Sequence, residues 1–127
     1  MQEQFVSYEQ ALALKEIDFD EPCLGLYHGD GMFSFQQTYS HNQYYGQVCS
    51  APLKQKVFDW FIEKYNLEGV VQKNDKYQWY MYDIFLLSDN DAKICKEFSR
   101  VDYKNKPQAT TACIDRLIEI GKRINKK

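Results

Sequence analysis

Tyr77-Gln78-Trp79-Tyr80-Met81-Tyr82-Asp83-Ile84-Phe85-Leu86-Leu87 reads as one long β-strand. Tyr77, Trp79, Met81, Asp83 and Phe85 alternate with Gln78, Tyr80, Tyr82, Ile84 and Leu86, and aromatic and β-branched side chains suit a pleated surface. Both rows are largely apolar, so the strand is expected inside a sheet rather than at its edge. Its first partner is Val70 to Lys73, joined to it around Asn74-Asp75. Beyond the turn Ser88-Asp89-Asn90-Asp91, the stretch Ala92 to Val101 is expected to hold another strand around Ile94 to Phe98.

Helices flank this unit. Ser50 is the expected cap of a helix over Leu53 to Tyr65, with Pro52 in the first turn, where its missing N–H does no harm. Leu53, Val57, Phe58, Trp60, Phe61 and Tyr65 define its buried face, opposite Lys56, Asp59 and Glu63, and Asn66 and Gly69 bracket its exit. A second helix runs from about Pro107 to Asn125. Ala109, Cys113, Leu117, Ile120 and Ile124 recur on it at three- and four-residue steps, widened by Ile114 and Ile118. Near the N-terminus, Ser7 and Gln10 stand in capping-box positions for a helix that carries Tyr8, Ala11, Leu12 and Leu14 on one face. That helix ends by Asp18 to Asp20, before Pro22. Between the first two helices, Cys23 to Tyr27 and Met32 to Gln37 form a hairpin about His28-Gly29-Asp30-Gly31, and Phe33 and Phe35 share a face. Thr38 to Gln47 shows no period and reads as a loop or an irregular edge strand, after which Val48-Cys49 rejoins the sheet.

The order α-β-β-α-β-β-(β)-α implies an α+β protein, a single domain over residues 1–127. An antiparallel sheet of about four to five strands would carry three helices on one side. The chain has 127 residues, a net charge of −2, and hydrophobic and charged fractions of 44% and 27%, a globular composition. No run of about 20 apolar residues suggests a membrane span, and Met1 to Gln10 lacks the features of a secretory signal. Cys23, Cys49, Cys95 and Cys113 form no Cys-x-x-Cys pair and no Asn-x-Ser/Thr site occurs, so the cysteines are expected as reduced, mostly buried thiols in a cytoplasmic protein. Charge is polarised. Residues 1–50 hold seven acids and one base, whereas residues 93–127 hold ten bases and four acids. Such opposition could orient subunits or partners; solvated acids and cations at a helix end are the expected account.

Chemical constellations are weak. Cys23, His28, His41 and Cys49 are the best metal candidates by donor type, but Cys-x4-His-x12-His-x7-Cys is not a zinc spacing, and no metal or cofactor is expected. Asp18, Asp20 and Glu21, like Asp89 and Asp91, lack the spaced ligands of a calcium loop. The acid pairs Asp59/Glu63 and Asp115/Glu119 fall on polar helix faces. Asp83 stands out as an acid on an apolar strand, read as a satisfied polar group, an edge feature or a ligand contact. Phosphate-binding and nucleophile-elbow motifs are absent, so no enzymatic activity is expected.

A resemblance adds a setting. Phe5-Val6-Ser7-Tyr8-Glu9, Ala11, Leu14-Lys15-Glu16 and Phe19-Asp20-Glu21-Pro22-Cys23-Leu24 look like a family of small uncharacterised proteins from phages and mobile elements of gut bacteria. Ala51-Pro52-Leu53, Gln55, Asp59-Trp60-Phe61 and Glu63-Lys64-Tyr65 continue the resemblance. Tyr103 and the helix over Ala109 to Ile120 are similar in character, while His28 to Gln47 lies outside it. The resemblance implies an accessory protein of a bacterial host cell and no particular chemistry.

The remaining signal is aromatic: 10 Tyr, 8 Phe and 2 Trp make 16% of the chain. Phe58, Trp60, Phe61 and Tyr65 belong to a helix core. Tyr39, His41, Tyr44, Tyr45, Tyr80 and Tyr82 are the expected binding residues, a surface on the helix-free side of the sheet. Such a surface suits a homodimer, a host protein or a sequestered small ligand. The alternative is a nucleotide or single-stranded nucleic acid stacked on the aromatics, aided by Lys73, Lys76 and the basic C-terminal region. Extended nucleic acid is disfavoured because the sheet region carries little positive charge.

Overall fold

The computed structural model describes residues 2–40, 48–88 and 93–126. After a single 3-10 turn over Gln2–Gln4, the elements are α1 (Tyr8–Glu16), β1 (Cys23–Tyr27), β2 (Phe33–Ser40), β3 (Cys49–Ala51), α2 (Lys54–Tyr65), β4 (Leu67–Asn74), β5 (Trp79–Leu87), β6 (Lys93–Phe98) and α3 (Lys106–Asn125). The class is α+β and the element order is close to that expected. The difference lies in the sheet: the described strands number six and form two three-stranded antiparallel sheets, β2-β1-β3 and β4-β5-β6, in place of one sheet of four to five. Where Val48-Cys49 is expected to rejoin the sheet stands β3, which pairs with β1 as Gly25–Ala51, Leu26–Ser50 and Tyr27–Cys49 and completes the first sheet before α2 begins.

That pairing also revises the start of α2. Ser50 is buried within β3 and does not cap the helix. The cap position is Leu53, whose apolar side chain has no acceptor for a cap bond; its backbone bridges to Phe5, and Val6 N donates to the Pro52 carbonyl at 3.1 Å. Leu53, expected on the buried face, is 44% exposed as a result. Helix α1 starts as its sequence dictates. Ser7 Oγ accepts from Gln10 N at 3.2 Å, and Gln10 Oε1 accepts from Ser7 N at 3.1 Å. The same Gln10 is buried, and its Nε2 donates to the Thr111 carbonyl at 3.1 Å and to Asp115 Oδ1 at 2.9 Å, tying α1 to α3.

One core joins the two halves. Ala11 and Leu14 of α1, Tyr27 of β1, Val57, Trp60 and Phe61 of α2, Ile84 of β5, and Cys113, Ile114 and Leu117 of α3 belong to a single buried cluster. Helix α3 buries Ala109, Cys113, Ile114, Leu117, Ile118, Ile120 and Gly121, the stripe its periodicity predicts, while Ile124 is left half exposed. Packing of α2 and α3 on β4 is close at Gly69. A Cβ there would lie 2.8 Å from Cys113 Sγ and 2.9 Å from Phe58 Cε1. β5 is the central strand of its sheet, as its two apolar rows require.

Candidate functional site

The two rows of β5 have different fates. Ile84 is buried and Tyr82 packs against the core, so the row Tyr80, Tyr82, Ile84 and Leu86 faces the helices. Trp79, Met81, Asp83, Phe85 and Leu87 therefore point to the other side. Cross-strand pairing extends that outer row to Glu68, Val70 and Gln72 on β4, and to Lys93, Cys95 and Phe98 on β6. No helix described here lies on this face. Phe98 is 67% exposed, Trp79 37% and the neighbouring Val101 59%. The Lys93 ammonium sits 5.9 Å from the centre of the Phe85 ring and pairs with Glu68 Oε1 at 2.7 Å. Asp83 is half-buried on the same face and accepts a hydrogen bond from the Gln72 side chain, so it is a satisfied polar group within the outer row.

Those of the expected binding residues that lie among the described residues are not gathered on this face. Tyr82 is half-buried, with its ring stacked on Tyr103 at 6.3 Å between centroids, and burial pushes its hydroxyl above the usual phenol range. Tyr80 lies on the helix side, its backbone exchanging two 2.8 Å hydrogen bonds with Tyr103. Tyr39 falls in the backbone of β2, in the other sheet, and His41, Tyr44 and Tyr45 lie outside the described residues. The outer residues Trp79, Met81, Phe85 and Phe98 were visible in the sequence as one row of an alternation. Its phase is set by the fit of Tyr82 and Ile84 against α3, which the alternation does not specify.

The metal candidates separate as well. Cys49 pairs with Tyr27, four residues along β1 from Cys23, or about 13 Å at a strand's rise. Among the described residues no group of three His, Cys, Asp or Glu side chains could hold a metal ion. His41 lies outside them. The four cysteines are free; Cys23, Cys49 and Cys113 are buried and Cys95 is exposed. Burial pushes the Cys23 and Cys49 thiols up to about 11 and the Cys113 thiol up to about 12, so all three stay protonated and unreactive near neutral pH. One pair escaped the sequence reading: His28 Nε2 and Ser34 Oγ approach to 2.9 Å across the first hairpin. The pair is exposed and spans a turn in which Asp30 Oδ1 accepts from Met32 N at 3.0 Å, which is turn geometry rather than a nucleophile held in a cleft.

The described cavities are surface grooves. The largest, about 610 Å³, runs between α2 and the free edge of β4, floored by Phe58, Ile62 and Val71. Another, about 390 Å³, lies beside Phe5, Gln10 and Tyr27.

Fold and surface together define an α+β protein that carries an open sheet face on one side and a strand-edge groove on another. Set against family models, curated proteins and solved structures, the chain finds no match in any of the three. No described helix is long and apolar enough to cross a membrane.

Proposed function

We propose that this is a non-enzymatic interaction protein that docks a protein partner on the outer face of the β4-β5-β6 sheet. A second copy of the chain is the first partner to test. The observation that carries the reading is the outer row itself: Val70, Met81, Phe85, Trp79 and Phe98 form an apolar strip that folding leaves without a helix. Aromatic residues and methionine are the side chains enriched at the centres of protein interfaces. The resemblance to phage and mobile-element proteins supports an accessory role in the cytoplasm of a bacterial host, with a host protein as the other candidate partner.

Light scattering at rising concentration is the direct test. A dimer doubles the 15.1 kDa chain mass, and the double variant Phe85→Ser with Phe98→Ser should return it to a monomer. A wild-type protein that stays monomeric at high concentration and binds no host protein through this face would overturn the reading.

A second reading rests on the same row. Trp79, Phe85 and Phe98 present aromatic faces beside Lys93, an arrangement on which bases of a nucleotide or a short single strand can stack. Glu68 and Asp83 on that face oppose phosphate, which ranks it second. A rise in melting temperature with a nucleotide or short oligonucleotide would bring it forward.

A further inference from the structure

The free edge of β4 is a separate feature from the outer face. In its ladder with β5, Leu87 N donates to the Asn66 carbonyl at 2.9 Å, which makes Asn66–Leu87 a hydrogen-bonded pair. Bonded pairs alternate along an antiparallel ladder, so Glu68, Val70, Gln72 and Asn74 spend their backbone groups on β5. The N–H and C=O groups of Leu67, Gly69, Val71 and Lys73 therefore point away from the sheet, and the 610 Å³ groove is lined by Gly69 and Val71 at this edge.

Edge strands are ordinarily blunted, and the other described edges here are. β3 is three residues long, the β1–β2 ladder is irregular, and β6 carries Lys93 and Lys96 together with a register shift against β5. β4 has eight residues in unbroken register, and its centre, Gly69-Val70-Val71-Gln72, is uncharged.

The groove is also electrically lopsided. A single residue joins α2 to β4, so the two run antiparallel and the start of α2 flanks the later part of β4. Lys54 and Lys106, the first residues of α2 and α3, line the groove together, so two positive helix ends and two ammonium groups meet there. Glu3, which lines a neighbouring groove together with Lys54, tempers this charge from outside. At the opposite end Glu68 is engaged by Lys93 at 2.7 Å and Asp59 by Gln55 Nε2 at 3.2 Å.

The geometry points to β-strand addition: the β4 edge takes an extended segment of a partner protein, acidic at its N-terminal end and apolar at alternate positions after it. An antiparallel segment lays its N-terminal residues beside Lys54 and Lys106. Its main chain then bonds to Gly69 and Val71, and every second side chain rests on Phe58 and Ile62. This site is independent of the outer face.

The probe is an acetylated octapeptide of two glutamates followed by alternating valine and threonine, labelled and read by fluorescence anisotropy. Saturable binding is expected, weakened about tenfold or more when lysines replace the glutamates or when the protein carries Lys106→Glu. N-methylating the valines and N-methylating the threonines should differ sharply, because only one alternate set of N–H groups meets the β4 edge. Val71→Pro removes an edge donor without touching the β5 ladder and should abolish binding, with circular dichroism reporting that it folds. Phe98→Ser should leave peptide binding unchanged, which separates failure here from failure of the outer-face reading. The proposal is overturned if no peptide binds at millimolar concentration, if the two methylated peptides behave alike, or if the lysine peptide binds as tightly. It is also overturned if Val71→Pro turns a dimer into a monomer while the peptide has no effect, since a second copy would then occupy the edge.

Discussion

The two sheets have the same strand number and the same antiparallel pairing, yet they divide their residues in opposite ways. In β2-β1-β3, the central strand alternates between buried and half-buried, and all three residues of β3 are buried. Gly25 sits where a Cβ would come within 2.5 Å of the Ala51 carbonyl oxygen, so the backbones there are as close as chemistry permits. In β4-β5-β6, only Leu67 and Ile84 are buried, and β6 contributes no side chain to the core. The buried residues of β1 and β3 belong to the core, whereas Phe35 of β2 is 55% exposed. The second spends one row on the helices and leaves the other to solvent. An apolar residue is informative about function where folding does not already account for it, as along the outer row of the second sheet and, in the first, at Phe35.

The largest effect should come from the first sheet. Gly25→Ala forces a Cβ against backbone, which cannot rotate away, and should cost about 3 kcal/mol of stability. Urea denaturation measures it. A loss below about 1 kcal/mol would mean the first sheet relaxes easily, and the contrast between the sheets would weaken. Next is the polar tie between α1 and α3. Gln10→Ala removes two donors from the Thr111 carbonyl and the Asp115 carboxylate and dismantles half of the capping box, a loss of about 2 kcal/mol. Gln10→Glu distinguishes the roles, since it can still accept from Ser7 N but turns a donor into a second carboxylate beside Asp115.

The thiols probe both regions at once. Cys23 and Cys49 belong to the first sheet, and Cys113 lies under the second against Gly69. Folding raises all three above the ordinary thiol value of 9.0, to about 11, 11 and 12, so the folded state holds protons that the unfolded chain releases first. Their contribution is complete below about pH 9 and is lost as pH rises towards 11 to 12. Denaturation midpoints at pH 8 and pH 10 should differ, with the alkaline sample weaker, and Cys113→Ala should reduce that difference. Equal midpoints would show that the thiols are reached by solvent.

The sequence carried the helices, the hairpins and the central position of β5, because caps, periodicity and turn residues are local signals. It did not carry the division into two sheets, which depends on Cys49, Ser50 and Ala51 pairing with β1 over a long separation. Nor did it carry the fate of Ser50, whose type suits a cap but whose backbone is claimed by that ladder. The same limit applies to the surface. Alternation in β5 announced two apolar rows, and only the seating of Tyr82 and Ile84 against α3 decides which one faces out. The strand and loop tyrosines are the expected binding residues because a core need not absorb them, yet on β5 the outward aromatics are Trp79 and Phe85.

The smallest effect on stability and the most telling on function should come from the outer row. Phe98 is 67% exposed, so Phe98→Ser removes little buried area and should change unfolding free energy by no more than about 0.5 kcal/mol. Tyr82→Ser, on the other row of the same sheet, removes a ring packed on the core and stacked on Tyr103 and should cost about 2 kcal/mol or more. The pair reads the two faces against each other by denaturation and by light scattering. Loss of association with Phe98→Ser at unchanged stability assigns binding to the outer face. If Tyr82→Ser disrupts association while stability holds, the inner row is the binding surface and the contrast between a used and an unused face fails.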